Sequence, residues 1–345
     1  MKIAILNIFC GQVERGAEIW AQNLAEELGK KYEVDIFQIG QKRGKYYHTR
    51  IIKFVPFINS GFFYHLTVLW FTLICLPQLF QSRYDWLIPV NGRFQTLLIY
   101  IVRFVVGGRI LIVGHAGVGR EDKINLILGR PDVFVALSQK AFSWANNITG
   151  DKTKIFFIPN GVDINLFKSQ GKKADLSLPD PIVICVTELL PYKRVEYLIR
   201  AVNKIKKVSL LIIGKGTEEN KVDQLASSLL GDRYLRIDHI EHAKIARYYR
   251  SCDIFSLPSR ESEAFGLVYL EALSSNLPVV APDDPNRRML IGNAGVFVNV
   301  EDSSNYANAI RLALGKDFKD TPRIRSEKYS WTKISKMYEQ ILGKI

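Results

Sequence analysis

Pro258-Ser259-Arg260-Glu261-Ser262-Glu263-Ala264-Phe265-Gly266-Leu267-Val268-Tyr269-Leu270-Glu271-Ala272-Leu273, then Asn276-Leu277-Pro278-Val279-Val280-Ala281, is the stretch on which the reading of this chain turns. An apolar run from Asp253 to Leu257 predicts a strand that stops at Pro258. A polar, acidic loop follows, a helix opens near Ala264–Gly266 without a strong capping residue, and the next strand begins at Leu277. In parallel α/β sheets, ligands sit where strand ends meet helix starts. A helix N-terminus adds free N–H groups and a positive dipole end, which suits phosphate. Glu263 stands at the mouth of the helix and Glu271 eight residues along it, about 12 Å at the helical rise. That is roughly the reach of a nucleotide-sugar from its sugar carbon, across the diphosphate, to the ribose. One carboxylate can serve the sugar and the other the ribose hydroxyls, with backbone N–H groups meeting phosphate between them.

Length and composition leave room for this. The 345 residues suffice for two ordinary domains. With 48% apolar and 23% charged residues, a large core is expected and global disorder is excluded. The net charge of +13 suits anionic partners: nucleotide-sugar phosphates, an anionic membrane surface or nucleic acid. No stretch resembles an RNA- or DNA-binding motif, so nucleic acid is not expected as a partner. Cys10, Cys75, Cys185 and Cys252 lack metal-ligand spacing and read as buried, reduced thiols of a cytoplasmic protein. The chain starts on a strand pattern, Lys2 to Ile8, and no signal peptide is expected.

The flanking Pro-Ser, Phe-Gly-Leu and Leu-Pro-Val-Val strings make the opening stretch specific. It resembles the Glu-x7-Glu motif of retaining glycosyltransferases of family 4, which have the GT-B fold. Two glutamates at this spacing without those strings would more often be solvated surface.

Other segments carry the same resemblance. After the first strand comes Cys10-Gly11-Gln12-Val13-Glu14-Arg15-Gly16-Ala17-Glu18 and a helix with Ile19, Leu24 and Leu28 inward, stopping at Gly29. This is a strand–glycine loop–helix phosphate geometry, not a Gly-x-Gly-x-x-Gly fingerprint. It is similar to the family's Gly-Gly-Ala-Glu loop, with Arg15 in place of a glycine. Strands at Glu33–Ile39, Arg50–Val55, Trp86–Val90, Arg109–Gly114, Val133–Leu137 and Ile155–Ile158 continue the first half. His115, between glycines after the fifth strand, matches the family's histidine facing the donor sugar. Ser138 reads as the N-cap of the next helix. Pro159-Asn160-Gly161-Val162-Asp163 and Phe167 resemble the family's interdomain junction, and polar Lys168–Pro181 reads as a linker.

In the second half, Ile182–Val186 is a strand, and a loop through Lys193 leads into a helix with Val195, Leu198, Ile199 and Val202 on one face. A lysine at a helix N-terminus is locally unfavourable unless an anion binds there. It resembles the family's diphosphate-contacting lysine, but Glu188 stands where an arginine is common and Arg194 where a glycine is. Gly214-Lys215-Gly216 after strand Val208–Ile213 is similar to a family turn that borders the nucleotide. Asp283-Asp284-Pro285-Asn286-Arg287-Arg288 replaces a Gly-Gly-x-x-Glu loop of many relatives. A short strand near Tyr234–Ile237, a helix at Ala243–Arg250 and a last helix from Trp331 to Leu342 complete the pattern.

The resemblance implies an α/β chain of GT-B architecture, with two Rossmann-like doubly wound domains facing across a cleft. Residues 1–165 would form the acceptor-side domain, 166–330 the nucleotide-sugar-binding domain, and 331–345 a helix crossing back to the first. The implied activity is metal-independent retaining transfer of a hexose from a nucleotide-diphosphate-sugar to a hydroxyl acceptor, a polysaccharide or lipid-linked glycan precursor. Glu263 would orient the sugar and stabilise positive charge at its anomeric carbon, and His115 would contact the sugar. Glu271 would hold the ribose. Gly16, Lys193, Arg194, Gly216 and Ala264-Phe265-Gly266-Leu267 would bind the rest of the donor. No cofactor and no metal are expected, since no Asp-x-Asp occurs in the chain. Two alternatives are a GT-B nucleotide-sugar epimerase and a non-catalytic nucleotide-sugar-binding subunit.

One stretch lies outside this scheme. Phe54–Ser82 has no Asp, Glu, Lys or Arg, and follows a basic run, Lys42, Arg43, Lys45, Arg50 and Lys53, with no acid among them. The length borders on that of a membrane span. Pro77, His65 and the strand–helix pattern on both sides instead favour a packed helix, or one that docks on an anionic membrane from the cytoplasmic side.

Overall fold

Strands without a polar face cannot border water, so runs such as Ile3–Leu6 and Val183–Val186 must lie inside parallel sheets covered on both sides by helices. The structure, a computed structural model, describes residues 1–56, 58, 61–261 and 263–344, with the backbone alone for Phe62 and Asp151. Ser262 of the decisive loop and residues 57, 59 and 60 of the apolar stretch lie outside the described residues, as does residue 345. The chain forms two compact units, Met1–Asn160 with Trp331–Ile345, and Gly161–Ser330.

The first unit runs β1 (Lys2–Leu6), α1 (Gly16–Leu28), β2 (Glu33–Gln38), β3 (His48–Ile51), α2 (Gly61–Ser82), β4 (Trp86–Pro89), α3 (Arg93–Val106), β5 (Arg109–Val113), α4 (Arg120–Gly129), β6 (Val133–Ala136), α5 (Gln139–Thr149) and β7 (Lys154–Phe157). Its seven parallel strands lie in the order β3-β2-β1-β4-β5-β6-β7. Helices α2 to α5 press Phe71, Ile99, Leu126 and Ala141 onto one core with Leu87 and Ile110.

Most expected strand bounds move by a residue or two and β3 ends at Ile51 rather than Val55; two of the shifts in this unit have a clear cause. β1 ends at Leu6 because Ile8 donates its N–H to the Asn91 side chain rather than to the ladder. β3 starts at His48, two residues before the expected Arg50, in a register that pairs Asp35 with His48. That register sets the Arg50 guanidinium 3.1 Å from the buried Asp35 carboxylate. An unpaired charge there would be costly, so the ion pair fixes the edge strand.

The second unit runs β8 (Ile182–Val186), α6 (Val195–Asn203), β9 (Ser209–Ile213), α7 (Glu219–Leu230), β10 (Tyr234–Ile237), α8 (His242–Tyr249), β11 (Ile254–Ser256), α9 (Leu267–Ser274), β12 (Val279–Pro282), α10 (Pro285–Ile291), β13 (Gly295–Val298), α11 (Ser303–Gly315) and α12 (Thr321–Ser326). Six parallel strands lie in the order β10-β9-β8-β11-β12-β13. The order reverses between β8 and β11, and ligands of doubly wound sheets bind beyond the carboxyl ends of the strands at such a switch point. β12 begins at Val279 rather than Leu277. The reason is that Asn276, at φ +63°, and Leu277 close the end of α9 with bonds to Leu273 and Ala272.

The last helix, α13 (Trp331–Lys344), belongs to the first unit and covers α1. The Trp20 indole N–H donates to the Tyr338 hydroxyl (3.2 Å), and that of Trp86 to the Leu342 carbonyl (3.2 Å). Tyr338→Phe strands a buried donor and is expected to cost about 1–2 kcal/mol, and Tyr338→Ala about 3–5 kcal/mol. Urea unfolding followed by tryptophan emission reads both. Wild-type stability in both variants would remove α13 from the unit's core.

Candidate functional site

Of the predicted site residues, Lys193 and Glu263 come together at the switch point of the second unit. A tight turn after β8, Pro191–Lys193, delivers the lysine. The loop after β11 delivers the glutamate. Lys193 Nζ donates to both Glu263 oxygens, at 2.8 and 2.6 Å. Lys193 is only 7% exposed, and its ammonium also lies 4.9 Å from the centre of the Tyr192 ring. The ammonium is held by the carboxylate through both oxygens, so an incoming anion would compete with the carboxylate for it.

Three side chains hold the loop that bears Glu263. Arg287, fully buried, donates to the Asp284 carboxylate (2.7 Å), the Ser259 hydroxyl (2.7 Å) and the Arg260 carbonyl (3.1 Å). The Glu263 N–H donates to that same Arg260 carbonyl at 3.1 Å. Asn286 holds the Phe265 carbonyl (3.3 Å), and Arg194 the Pro258 carbonyl (2.9 Å). Arg287 and Asn286 sit on the first turn of α10, capped by Asp284, in the string that departs from the resembled family. Their clamping role left no signal in the sequence, because it needs β12 to bring α10 under the loop.

The helix start differs from expectation. α9 opens at Leu267, not at Ala264–Gly266, because Gly266 takes φ +87°, a left-handed value that ends the loop. A Cβ there would lie 2.6 Å from the Tyr269 ring, so no other residue fits without a shift. Glu263 is therefore in the loop, and the helical-rise estimate of its separation from Glu271 does not apply. Phe265 and Gly266 are buried, Ala264 and Leu267 half-buried. Of the first N–H groups of α9, that of Tyr269 bonds the Gly266 carbonyl at 3.1 Å. Those of Leu267 and Val268 lie at the open end of the helix, where no i−4 carbonyl of the helix reaches them.

Glu271 sits one turn into α9 and is 6% exposed. It accepts from the Tyr249 hydroxyl (2.9 Å), and its other oxygen lies 3.1 Å from His242 Nε2. Burial keeps Tyr249 protonated and so a donor, and Phe167 packs edge-on against both partner rings. The expectation of a carboxylate that only awaits ribose hydroxyls missed these two partners, which come from a different helix.

Arg194, expected at the donor, is engaged elsewhere. It adopts φ +54° as the residue ahead of α6 and pairs with Glu301 at 2.9 Å. Gly216 has a packing role as well. A Cβ on it would lie 2.4 Å from the Leu189 carbonyl, so this turn presses directly onto the loop that carries Lys193.

Within the first unit, Gly16 opens α1, exposed, with Arg15 ahead of it. The Arg15 guanidinium lies 3.4 Å from the buried Glu18 carboxylate and 5.7 Å from the centre of the Phe9 ring. Burial raises the Glu18 carboxyl above its usual range. His115 packs edge-on against Trp20, with ring centres 4.9 Å apart. Its Nε2 is buried without a hydrogen-bond partner, and this burial lowers its pKa to about 4, so the ring is neutral near pH 7. Asp122, at the start of α4, bonds the Ala116 and Gly117 backbone and Asn125, and burial pushes it up to about 7. It thus anchors the loop carrying His115, a role that sequence reasoning missed. Among the described residues, no group of three or more His, Cys, Asp or Glu is placed to hold a metal ion.

These arrangements can be set beside known proteins. Residues 167–331 match the family model described as Glycosyl transferases group 1. The chain is 30% identical to a phosphatidyl-myo-inositol mannosyltransferase of Mycolicibacterium smegmatis over 63% of this chain and 58% of the relative. It is 27% identical to a D-inositol 3-phosphate glycosyltransferase of Nocardia farcinica over 71% of this chain and 56% of the relative. The chain thus spans under two thirds of the length of these relatives. Among solved structures, sucrose-phosphate synthase from Thermosynechococcus elongatus matches with a TM-score of 0.83 at 21% identity, over 100% of both chains. HepE of Anabaena, solved with UDP and glucose, matches at 0.76 and 19%, also over 100% of both. With its two parallel sheets of seven and six strands, the chain has the GT-B fold of glycosyltransferases.

Proposed function

We propose that the chain is a hexosyltransferase that moves a sugar, with retention of anomeric configuration, from a nucleotide-diphosphate-sugar to a hydroxyl acceptor. The observation that carries this is the nearly buried Lys193 at the switch point of the second unit, its ammonium bound to Glu263. A cation there suits a diphosphate, and the carboxylate beside it suits positive charge developing at an anomeric carbon. In the transfer, the bond from the anomeric carbon to the diphosphate oxygen breaks with the electron pair going to phosphate. A bond to the acceptor oxygen forms, and that hydroxyl's proton is released. Lys193 and the Leu267 and Val268 N–H groups at the start of α9 neutralise the leaving diphosphate, without a metal or cofactor. Glu271 takes the ribose, Gly16 and Gly216 lie along the donor, and His115, neutral, hydrogen-bonds the sugar. Arg194 acts on the donor through the Pro258–Ser259 backbone.

On this reading the second unit binds the donor and the first the acceptor. The two named relatives act, by their names, on an inositol lipid and an inositol phosphate. They support a polyol or lipid-linked glycan precursor as acceptor. Work in the cytoplasm, at the inner face of an anionic membrane where the acceptor is lipid-linked, completes the proposal.

Calorimetry against UDP-, GDP- and ADP-sugars is the direct test, and no binding of any of them would end the reading. With the donor found, Glu263→Ala is expected to lower turnover by about 10²–10³-fold. Glu271→Gln should weaken donor binding roughly tenfold with a smaller change in kcat. Wild-type turnover in both would overturn the site assignment. A separate outcome concerns the ion pair. Lys193→Met should weaken binding of the free nucleoside diphosphate by about tenfold or more, whereas Glu263→Gln should bind it at least as tightly as wild type, its ammonium no longer occupied by a carboxylate. Weaker nucleotide binding by Glu263→Gln would contradict competition for Lys193.

A further inference from the structure

A helix that is apolar all round belongs in a core or in lipid, and α2 is neither wholly covered nor free of the fold. Its 22 residues include no Asp, Glu, Lys or Arg, and Phe63–Ser82 has the length and mean hydropathy (1.5) of a membrane span. One face, Val68, Phe71, Cys75 and Leu79, is buried in the core of the first unit. The helix therefore lies on the unit instead of leaving it to cross a bilayer. The opposite face, Phe63, Leu66, Trp70, Leu73 and Phe80, is exposed, with Trp70 at 51%. The spacing, three or four residues at each step and seven at the last, makes one continuous stripe along the helix.

Neighbouring elements extend the stripe. α3 packs beside α2 and exposes Phe94, Ile101, Phe104 and Val105, Phe104 at 71%. The Trp70 indole donates to the Phe54 carbonyl at 3.1 Å, which ties the 90% exposed Phe54 to the middle of α2. Cations border this apolar area. Lys53 is exposed beside Phe54, and Arg130 lies over the Tyr100 ring at 5.8 Å. Arg103 lies over Tyr100 and Phe104 at 5.6 Å each, but is paired with Asp132 at 3.0 Å and so adds contact area more than net charge. Charge is distributed to match. The first unit carries 22 Lys and Arg against 12 Asp and Glu, a net +10, while the second carries 25 against 22, a net +3.

We infer that the exposed face of α2 and α3, with Phe54, docks in the plane of an anionic lipid bilayer. Aromatic side chains enter the interface and the bordering cations meet lipid phosphates. This deepens the membrane element of the transferase reading by naming the surface, but docking needs neither donor nor acceptor.

The test is sedimentation of the whole chain with vesicles of phosphatidylcholine alone and of phosphatidylcholine with phosphatidylglycerol. Expected is co-sedimentation with the anionic vesicles, weakened by salt, and little with the neutral ones. Trp70→Glu and Phe104→Glu, both at exposed positions, should each weaken binding by about tenfold or more while leaving nucleotide calorimetry unchanged. The calorimetry separates failure here from failure of the transferase reading. No binding at low salt, or variants that bind like wild type, would overturn the inference. So would a dimer in analytical ultracentrifugation that Trp70→Glu dissolves, since a second copy would then cover the face.

Discussion

An ammonium held nearly out of water must have a counter-charge, and Lys193 has one in Glu263. Removing either partner of such a pair leaves an uncompensated charge, typically worth several kcal/mol. The rest of the second unit is consistent with that constraint. The switch point sets the ends of β8 and β11 side by side, which is what lets residues 70 positions apart in the chain meet. Arg287 then fixes the glutamate's side through the Arg260 carbonyl, and the Gly214–Gly216 turn fixes the lysine's side through Leu189. Each jaw has its own support, so the pair can be opened by a competing anion without unravelling either loop.

How far this was legible in the chain depends on whether the signal was local. Strand cores were legible because fully buried parallel strands are runs of Ile, Val and Leu. Lys193 stood out as a cation placed where a helix dipole repels it, and the Ser138 cap is formed as its residue type suggests, accepting from Ala141 N–H. What escaped was set by tertiary partners. The start of α9 depends on the conformation of one glycine, and the bound of β3 on an ion pair with Asp35. The partners of Glu271 come from α8, and nothing near residue 271 announces them. Asp122 escaped for another reason: its partners, the Ala116 and Gly117 backbone and Asn125, are close in the chain, but the burial that raises its carboxyl shows only in the folded unit.

Sequence departures from the resembled family take on a different meaning with the side chains placed. Glu188, where an arginine is common, is exposed and removes one cation from the lysine's loop. Arg15 is paired with Glu18 and lies over Phe9 within the first unit, and Arg194 is spent on Glu301 and the Pro258 carbonyl within the second.

On the proposed reading, phosphate neutralisation in the second unit rests mainly on the Lys193 ammonium and on backbone N–H groups. A single point charge with rotatable donors selects for charge more than for shape, in contrast to the planar fork of an arginine. Discrimination among nucleotide-sugars must then come from the base and sugar ends of the donor. The loop around Glu263, which the proposal puts at the sugar end, is held by Arg287 and Asn286, both from the string Asp283–Arg288 in which this chain differs from many relatives of the resembled family. The clamp and the departure are the same residues. A change in that string therefore alters the placement of Glu263 without touching Lys193, so that donor choice can shift while the grip on diphosphate stays the same.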